Sequence, residues 1–416
     1  MQHQVFEALS RPSNSPSEED SWVLEATDQT NYVGSPVANG QIGILPWCQP
    51  FSIKHVIVNH VFEFSDNRDV YKVIKAINPF ELKLKINNTL IDNNNISNWK
   101  QAIDMKKATH TTTFSFQNKA NVKYTIIALR GMPYAGLISV TIESTDDSKL
   151  SIEIENNSTI PSGEYDPLSS LYEFREFAEN SQLSPGQAST NGKISVLRCT
   201  STTRYGSHQV CASSTFRIIE SSSSSALSYD KSKHSQTLKT EINGHSKYSV
   251  ALIGVICTTR EFKDIKNESE RQLLFATFET VPSLICKHEK LWEDLWQADI
   301  KIEGDGQITS EKNSCLGIQR IVRFALYSLY SFCREGSRLS ISPMGLSSQG
   351  YNGHIFWDTE LWMYPPLLLL NHNLARSLVD YRIDRKEGAR RRSYAHGYRG
   401  FMYPWESDDN GDESTP

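Results

Sequence analysis

At 416 residues the chain exceeds the size of one ordinary domain and calls for at least two, each large enough to bury a core. Its 38% hydrophobic and 10% aromatic residues exclude a chain disordered throughout. With 43 Lys and Arg against 48 Asp and Glu the formal charge is -5, which leaves no basic excess for nucleic-acid phosphates, so no nucleic-acid partner is expected.

Residues 1–20, MQHQVFEALSRPSNSPSEED, read as a flexible N-terminus without the apolar core of a signal peptide. A cytoplasmic setting is expected, or a periplasmic or secreted one if a leader has been removed. Residues 21–265 form the next unit, with period-two alternation in Phe80–Ile86, Thr109–Phe116, Val122–Leu129, Leu137–Ser144 and Lys247–Cys257. Such alternation means half-buried strands. Turn-rich breaks at Asp92–Asn95, Thr145–Ser148 and the serine run Ser221–Ser225 fold them back into an antiparallel β-sandwich. Sequons at Asn87, Asn157 and Asn267 decide nothing without a glycosylation machinery.

Near residue 261 the period changes to helical. Residues 266–306 read as a linker whose apolar stripe takes in Leu273, Phe275, Ala276, Phe278, His288, Leu291, Trp292, Leu295 and Trp296. His288 is expected to pack or cap rather than to catalyse. After a turn at Gly304–Gly306, Ser310 is placed to cap a long helix with Leu316, Ile321, Val322, Ala325, Leu326 and Leu329 on its buried face. A further helix is expected to start near Pro365 and Pro366 and to run through Leu374 to Val379. Residues 307–416 are too few to finish an α domain, since about 110 residues hold roughly four helices and their loops. The chain also stops at a Thr415–Pro416 step that suits the start of an element, so a fragment is expected.

The seven cysteines are odd in number and have no close CxxC spacing, so neither a disulfide framework nor a zinc ribbon is indicated. No apolar run approaches the ~20 residues of a membrane span, and no membrane partner is expected. The basic cluster Arg385, Lys386, Arg390, Arg391 and Arg392 lacks interleaved aromatics and reads as a solvated helix face.

The densest polar and aromatic segment runs from Ser342 to Pro366, SPMGLSSQGYNGHIFWDTELWMYPP, and contains His354, Phe356, Trp357, Asp358, Glu360 and Trp362. Tryptophan faces stack on the C–H faces of sugars and carboxylates accept from their hydroxyls, so the Trp357–Asp358 pair suits saccharide binding. From residue types alone a second reading stays open, with these aromatics in a core and Asp358 as a helix N-cap. A second cluster, Gly397–Glu413, pairs Trp405 with Glu406. Its Asp408, Asp409, Asp412 and Glu413 read as a solvated acidic loop that lacks calcium-loop spacing, and no metal is expected. Glu360, two residues after Asp358, is not an acid/base pair with it, because carboxylates so placed do not span a glycosidic bond. Phosphate-binding loops, H-E-x-x-H and G-x-S-x-G are all absent from the sequence.

The segments GYNGHIFWDTELWMYPPLL and YRIDRKEGARRRSYAHGYRGFMYPWES resemble glycoside hydrolase family 65. Weaker echoes are VANGQIGILP at Val37–Pro46, DMKKATHTTTF at Asp104–Phe114 and HEKLWEDLW at His288–Trp296. The resemblance implies a multidomain β-then-α architecture: an N-terminal antiparallel supersandwich, a helical linker and the beginning of an (α/α)6 barrel. It implies a glucose subsite lined by Trp357, Asp358, Trp405 and Glu406, with Gly353, His354 and Phe356 shaping the loop. Its general acid, a glutamate in a G-P-D-E-Y-type segment, and its general base or phosphate loop have no counterpart here, so no catalytic residue is expected before Pro416.

Trp362, Met363 and Pro365 resemble the trehalase and glucosidase branch, whereas Asp412–Pro416 points mildly the other way. Inverting hydrolysis of an α-linked glucose disaccharide or glucoside is therefore expected of the full-length enzyme, without a cofactor. The alternatives are a kojibiose- or maltose-type phosphorylase with inorganic phosphate as co-substrate, and an inactive carbohydrate-binding fragment. A homodimer is the assembly the resemblance suggests.

Overall fold

The computed structural model describes residues 18–30, 34–64, 70–179, 193–221, 225–303 and 315–415. Eighteen strands among them pair antiparallel in three sheets. The nine-stranded sheet runs in the order Val23–Ala26, Ile96–Asp104, Thr109–Phe116, Ala120–Ala128, Ala135–Ser144, Lys247–Thr258, Gln209–Glu220, Lys193–Thr202, Leu171–Ala178. A five-stranded sheet holds Ala226–Asp230, Ser235–Ile242, Leu150–Thr159, Asn78–Ile86 and Thr89–Leu90. A four-stranded sheet of Val37–Ala38, Ile42–Pro46, Ile53–Phe64 and Tyr71–Lys75 completes the β region.

The five expected alternating segments are all strands, within two residues at either end. Thr109–Phe116 and Leu150–Thr159 bury every second side chain, as a two-faced strand requires. Lys247–Thr258 differs: after Lys247 every residue is buried. Val250, Leu252 and Ile256 face the core shared with Phe80, Leu82 and Ile152, while Ala251, Ile253, Val255 and Cys257 face Leu273, Ala276, Val281 and Leu284 on the other side. Helices thus cover the outer face of the sheet centre. Gly136 and Gly254 lie opposite each other in register and form a notch for the Phe80 ring, where an added Cβ would approach within 2.7 Å and 2.5 Å of ring atoms.

Six α-helices follow among the described residues: α1 Ile265–Thr277, α2 Val281–Leu295, α3 Cys315–Phe332, α4 Tyr364–Leu370, α5 His372–Asp384 and α6 Lys386–Ala395. Thr280 caps α2 by accepting from Ser283 N. The linker stripe buries Leu273, Ala276, His288, Trp292 and Trp296 but leaves Phe275, Phe278 and Leu291 exposed. His288 packs as expected: Arg130 N donates to its Nδ1 at 3.0 Å, and its Nε2 donates to Lys107 O at 2.9 Å. Together with Trp296 Nε1 donating to Met105 O, these bonds fasten α2 to the sandwich.

The buried face of α3 departs from expectation. It carries Gln319, Arg323, Leu326, Tyr327 and Tyr330, whereas Ala325 is exposed and Ile321, Val322 and Leu329 are half-buried. Apolar counting cannot find this face because two of its members are polar. Arg323 pairs with Asp299 and lies over the Trp22 ring, and Gln319 exchanges hydrogen bonds with Ile300 O and Ile302 N. The single helix expected from Pro365 to Val379 is two, because Asn371 is extended and caps α5 by accepting from Leu374 N. The Ser310 cap, the Gly304–Gly306 turn, most of the serine run and residues 1–17 lie outside the described residues. No helix among the described residues is long and apolar enough to cross a membrane.

Candidate functional site

Three consecutive left-handed residues, Tyr351 (φ 52°), Asn352 (φ 55°) and Gly353 (φ 74°), turn the chain sharply into His354. The conformation is costly for a tyrosine, and strain of this kind concentrates at binding loops. Its support is the edge strand Tyr71–Lys75 of the four-stranded sheet. Gln349 Nε2 donates to Val73 O at 2.7 Å, and Gly353 sits so close that a Cβ would come within 2.5 Å of the Val73 side chain.

The loop then meets the second aromatic–acid segment, His354 and Glu406 lying 52 positions apart in sequence. Ile355 and Ser407 exchange both backbone hydrogen bonds, at 2.9 and 3.0 Å, and Ser414 N donates to Glu406 O. This short antiparallel bridge brings the rings of Trp357 and Trp405 to 5.9 Å, with Trp362 6.4 Å from Trp357. All three tryptophans face outward, 40%, 56% and 66% exposed for Trp357, Trp405 and Trp362. Phe356 is buried beneath them against Tyr351, and His354 is wholly buried. Trp357 and Trp405 are thus exposed, the acids beside them, Asp358 and Glu406, are half-buried, and His354 and Phe356 are buried.

Asp358 begins a π-helical turn, Thr359–Met363, that runs into α4. Its carboxylate makes no cap hydrogen bond and has no partner among the described residues, so the N-cap reading fails and the carboxylate remains available to a ligand. Glu360 is engaged by Arg382 at 2.6 and 3.0 Å, which removes it from the chemistry. Glu406 accepts from His354 Nδ1 at 2.8 Å through Oε2, and its Oε1 has no partner among the described residues. The Glu413 carboxylate fixes the backbone here by accepting from Trp405 N and Glu406 N, both at 3.0 Å.

The acidic loop and the basic cluster, each read as solvated, neutralise one another. Arg391 pairs with Asp412, Arg392 with Glu413 and Arg385 with Asp409, and Met402 N donates to Ala389 O, which seats the loop on α6. These pairs join residues 21 and 24 positions apart in sequence.

Asp409 is the hub. One of its oxygens lies 3.0 Å from Arg260 Nη2, 3.0 Å from Arg385 Nη2 and 3.5 Å from Nδ1 of buried His60. Burial pushes the Asp409 carboxyl up, but His60 and Arg260 outweigh it and hold it well below the usual carboxylate range. Burial likewise drives the His60 ring down to about 4 against the opposing pull of Asp409. The sandwich, α5's end and the Trp405 loop thus meet at one carboxylate. No local sequence signal marks His60 or Arg260 as members of this cluster.

Residues 36–295 match the model of the glycosyl hydrolase family 65 N-terminal domain, and residues 323–416 that of the family's central catalytic domain. The chain belongs to glycosyl hydrolase family 65. A kojibiose hydrolase of Mucilaginibacter mallensis is 35% identical over 98% of this chain and 58% of its own length. A kojibiose hydrolase of Flavobacterium johnsoniae is 35% identical over 100% of this chain and 58% of its own. This family 65 chain therefore spans somewhat over half the length of these relatives. A solved structure described as a putative kojibiose phosphorylase from human microbiome superposes with a TM-score of 0.71 at 16% identity, covering 96% of this chain and 53% of that one. It supports the fold, the family's β-sandwich followed by the first helices of its central domain.

Proposed function

We propose that this family 65 chain contributes the glucose-binding part of an enzyme that hydrolyses an α-linked glucose disaccharide of the kojibiose type with inversion. The observation that carries the reading is the pairing of Trp357–Asp358 with Trp405–Glu406 on one open face, each acid having at least one unengaged oxygen. Tryptophan faces pack on a pyranose ring while the two carboxylates accept from its hydroxyls, which fixes the non-reducing glucose. Likeness to two kojibiose hydrolases over essentially the whole chain favours hydrolysis over phosphorolysis.

Inversion needs an acid to protonate the leaving oxygen and a base to activate water on the opposite face. In this reading both belong to the part of the family's length that this chain does not span, and the residues described here hold and orient the sugar. Binding energy gathered by Asp358 and Glu406 is then available to position the scissile bond.

The test is an assay of the full-length protein on kojibiose, nigerose, maltose and trehalose, with and without phosphate. Phosphate-independent glucose release from kojibiose is expected. Phosphate-dependent glucose 1-phosphate would establish the phosphorylase instead, and no turnover would leave a binding role. Asp358→Ala is expected to cut turnover by about a hundredfold or more through loss of charged hydrogen bonds, with an unchanged melting temperature. Wild-type turnover in that variant would remove the assigned role.

A further inference from the structure

Resting on the sugar-binding reading, we infer that His354 is a positioning residue: it couples the β-sandwich to Glu406 and aims one oxygen of that carboxylate at the ligand. The argument begins with hydrogen-bond chemistry. His354 is fully buried, its Nε2 lies 2.6 Å from Tyr71 O and its Nδ1 lies 2.8 Å from Glu406 Oε2. A backbone carbonyl can only accept, so Nε2 carries a hydrogen. The other nitrogen faces a carboxylate, which accepts when ionised, so one further proton sits between Nδ1 and Oε2. Both ring nitrogens are thereby committed to protein partners and neither is left for a substrate.

The ring cannot swing away from this task. It stacks on Phe62 with centroids 6.0 Å apart, and it follows the left-handed turn that Gly353 makes against Val73. Phe62 and Tyr71 belong to two paired strands of the four-stranded sheet, so the sandwich sets the ring and the ring sets the carboxylate. Glu406 is held on its other side by the Ile355–Ser407 bridge and by Glu413, which accepts from its backbone N. With Oε2 taken by His354, Oε1 is the oxygen that remains for a sugar hydroxyl.

Two substitutions separate positioning from scaffolding. The Asn amide nitrogen in His354→Asn overlays Nδ1 and keeps the donor to Glu406, whereas the Gln amide nitrogen in His354→Gln overlays Nε2 and keeps only the donor to Tyr71. Titration calorimetry with D-glucose on the full-length protein, beside thermal melts, provides the readout. The Gln variant is expected to bind at least about tenfold more weakly than the Asn variant, the scale of one charge-assisted hydrogen bond, whichever melts higher. Equal affinities, or tighter binding by the Gln variant, would overturn the inference and leave His354 as a structural tie to Tyr71. A wild-type protein that binds no glucose would overturn the sugar-site reading itself, and the inference with it.

Discussion

Acidification tests the packing of the sandwich most directly. His60, His110 and His288 are buried, and burial pushes each ring down to about 4 from an ordinary value of 6.5. For His288 the geometry makes the reason explicit: Arg130 N donates to Nδ1, so a proton there would displace a backbone hydrogen bond. The unfolded chain takes up these protons near pH 6.5, and the folded chain resists until about 4. The stabilisation is therefore complete above 6.5 and is lost as pH falls through that window. Between pH 7.5 and 5 each ring removes about 2 kcal/mol, and the three together about 6 kcal/mol, which is comparable with the whole stability of many domains. His55 and His208 are moved in the same direction by burial and add to the loss. Asp409, held low, weakens the fold only below the carboxylate range, outside this window. Urea unfolding followed by tryptophan fluorescence at half-unit steps from pH 7.5 to 5 measures the effect. A midpoint that falls steeply below pH 6.5 is expected, and His288→Gln should make the fall shallower by about one proton. A midpoint independent of pH across that range would refute the reasoning.

The loop and the hub make further claims. Gly353→Ala adds a Cβ within 2.5 Å of Val73 at a left-handed position, so a loss of about 2–4 kcal/mol is expected, together with weaker glucose binding. A thermal melt unchanged from wild type would show that the loop does not depend on this contact. Asp409→Asn leaves Arg260 and Arg385 facing one another without their shared carboxylate. Because that carboxylate is one-third exposed, the expected cost is about 1–3 kcal/mol, and the like-charge repulsion left behind is relieved by added salt. Melting temperatures of the variant at low and high salt check both parts, and a difference from wild type that grows with salt would contradict the hub.

Much of the architecture was legible from local periodicity. Each expected alternating run is a strand, because a two-faced sheet writes its burial directly into the sequence, and the change of period near residue 261 falls just before α1. What escaped were faces made of satisfied polar groups. Gln319 and Arg323 turn α3 away from the face an apolar count selects, and their partners, Asp299 and the Ile300 and Ile302 backbone, lie in a different segment.

The two aromatic–acid motifs were visible as residue types, and by itself the sequence determined that Trp357–Asp358 and Trp405–Glu406 each set an indole beside a carboxylate. It also determined the strands and the glycine that let the first loop turn. Only the tertiary structure decided that the two motifs meet, that His354 is buried between Glu406 and Tyr71 O, and that the acidic loop pairs with Arg385 at the end of α5 and with α6. The physical reason is distance along the chain. Hydrogen bonds between Tyr71 and His354, or Ile355 and Ser407, join residues 283 and 52 positions apart, and no local pattern encodes which partner a folded backbone will bring within 3 Å.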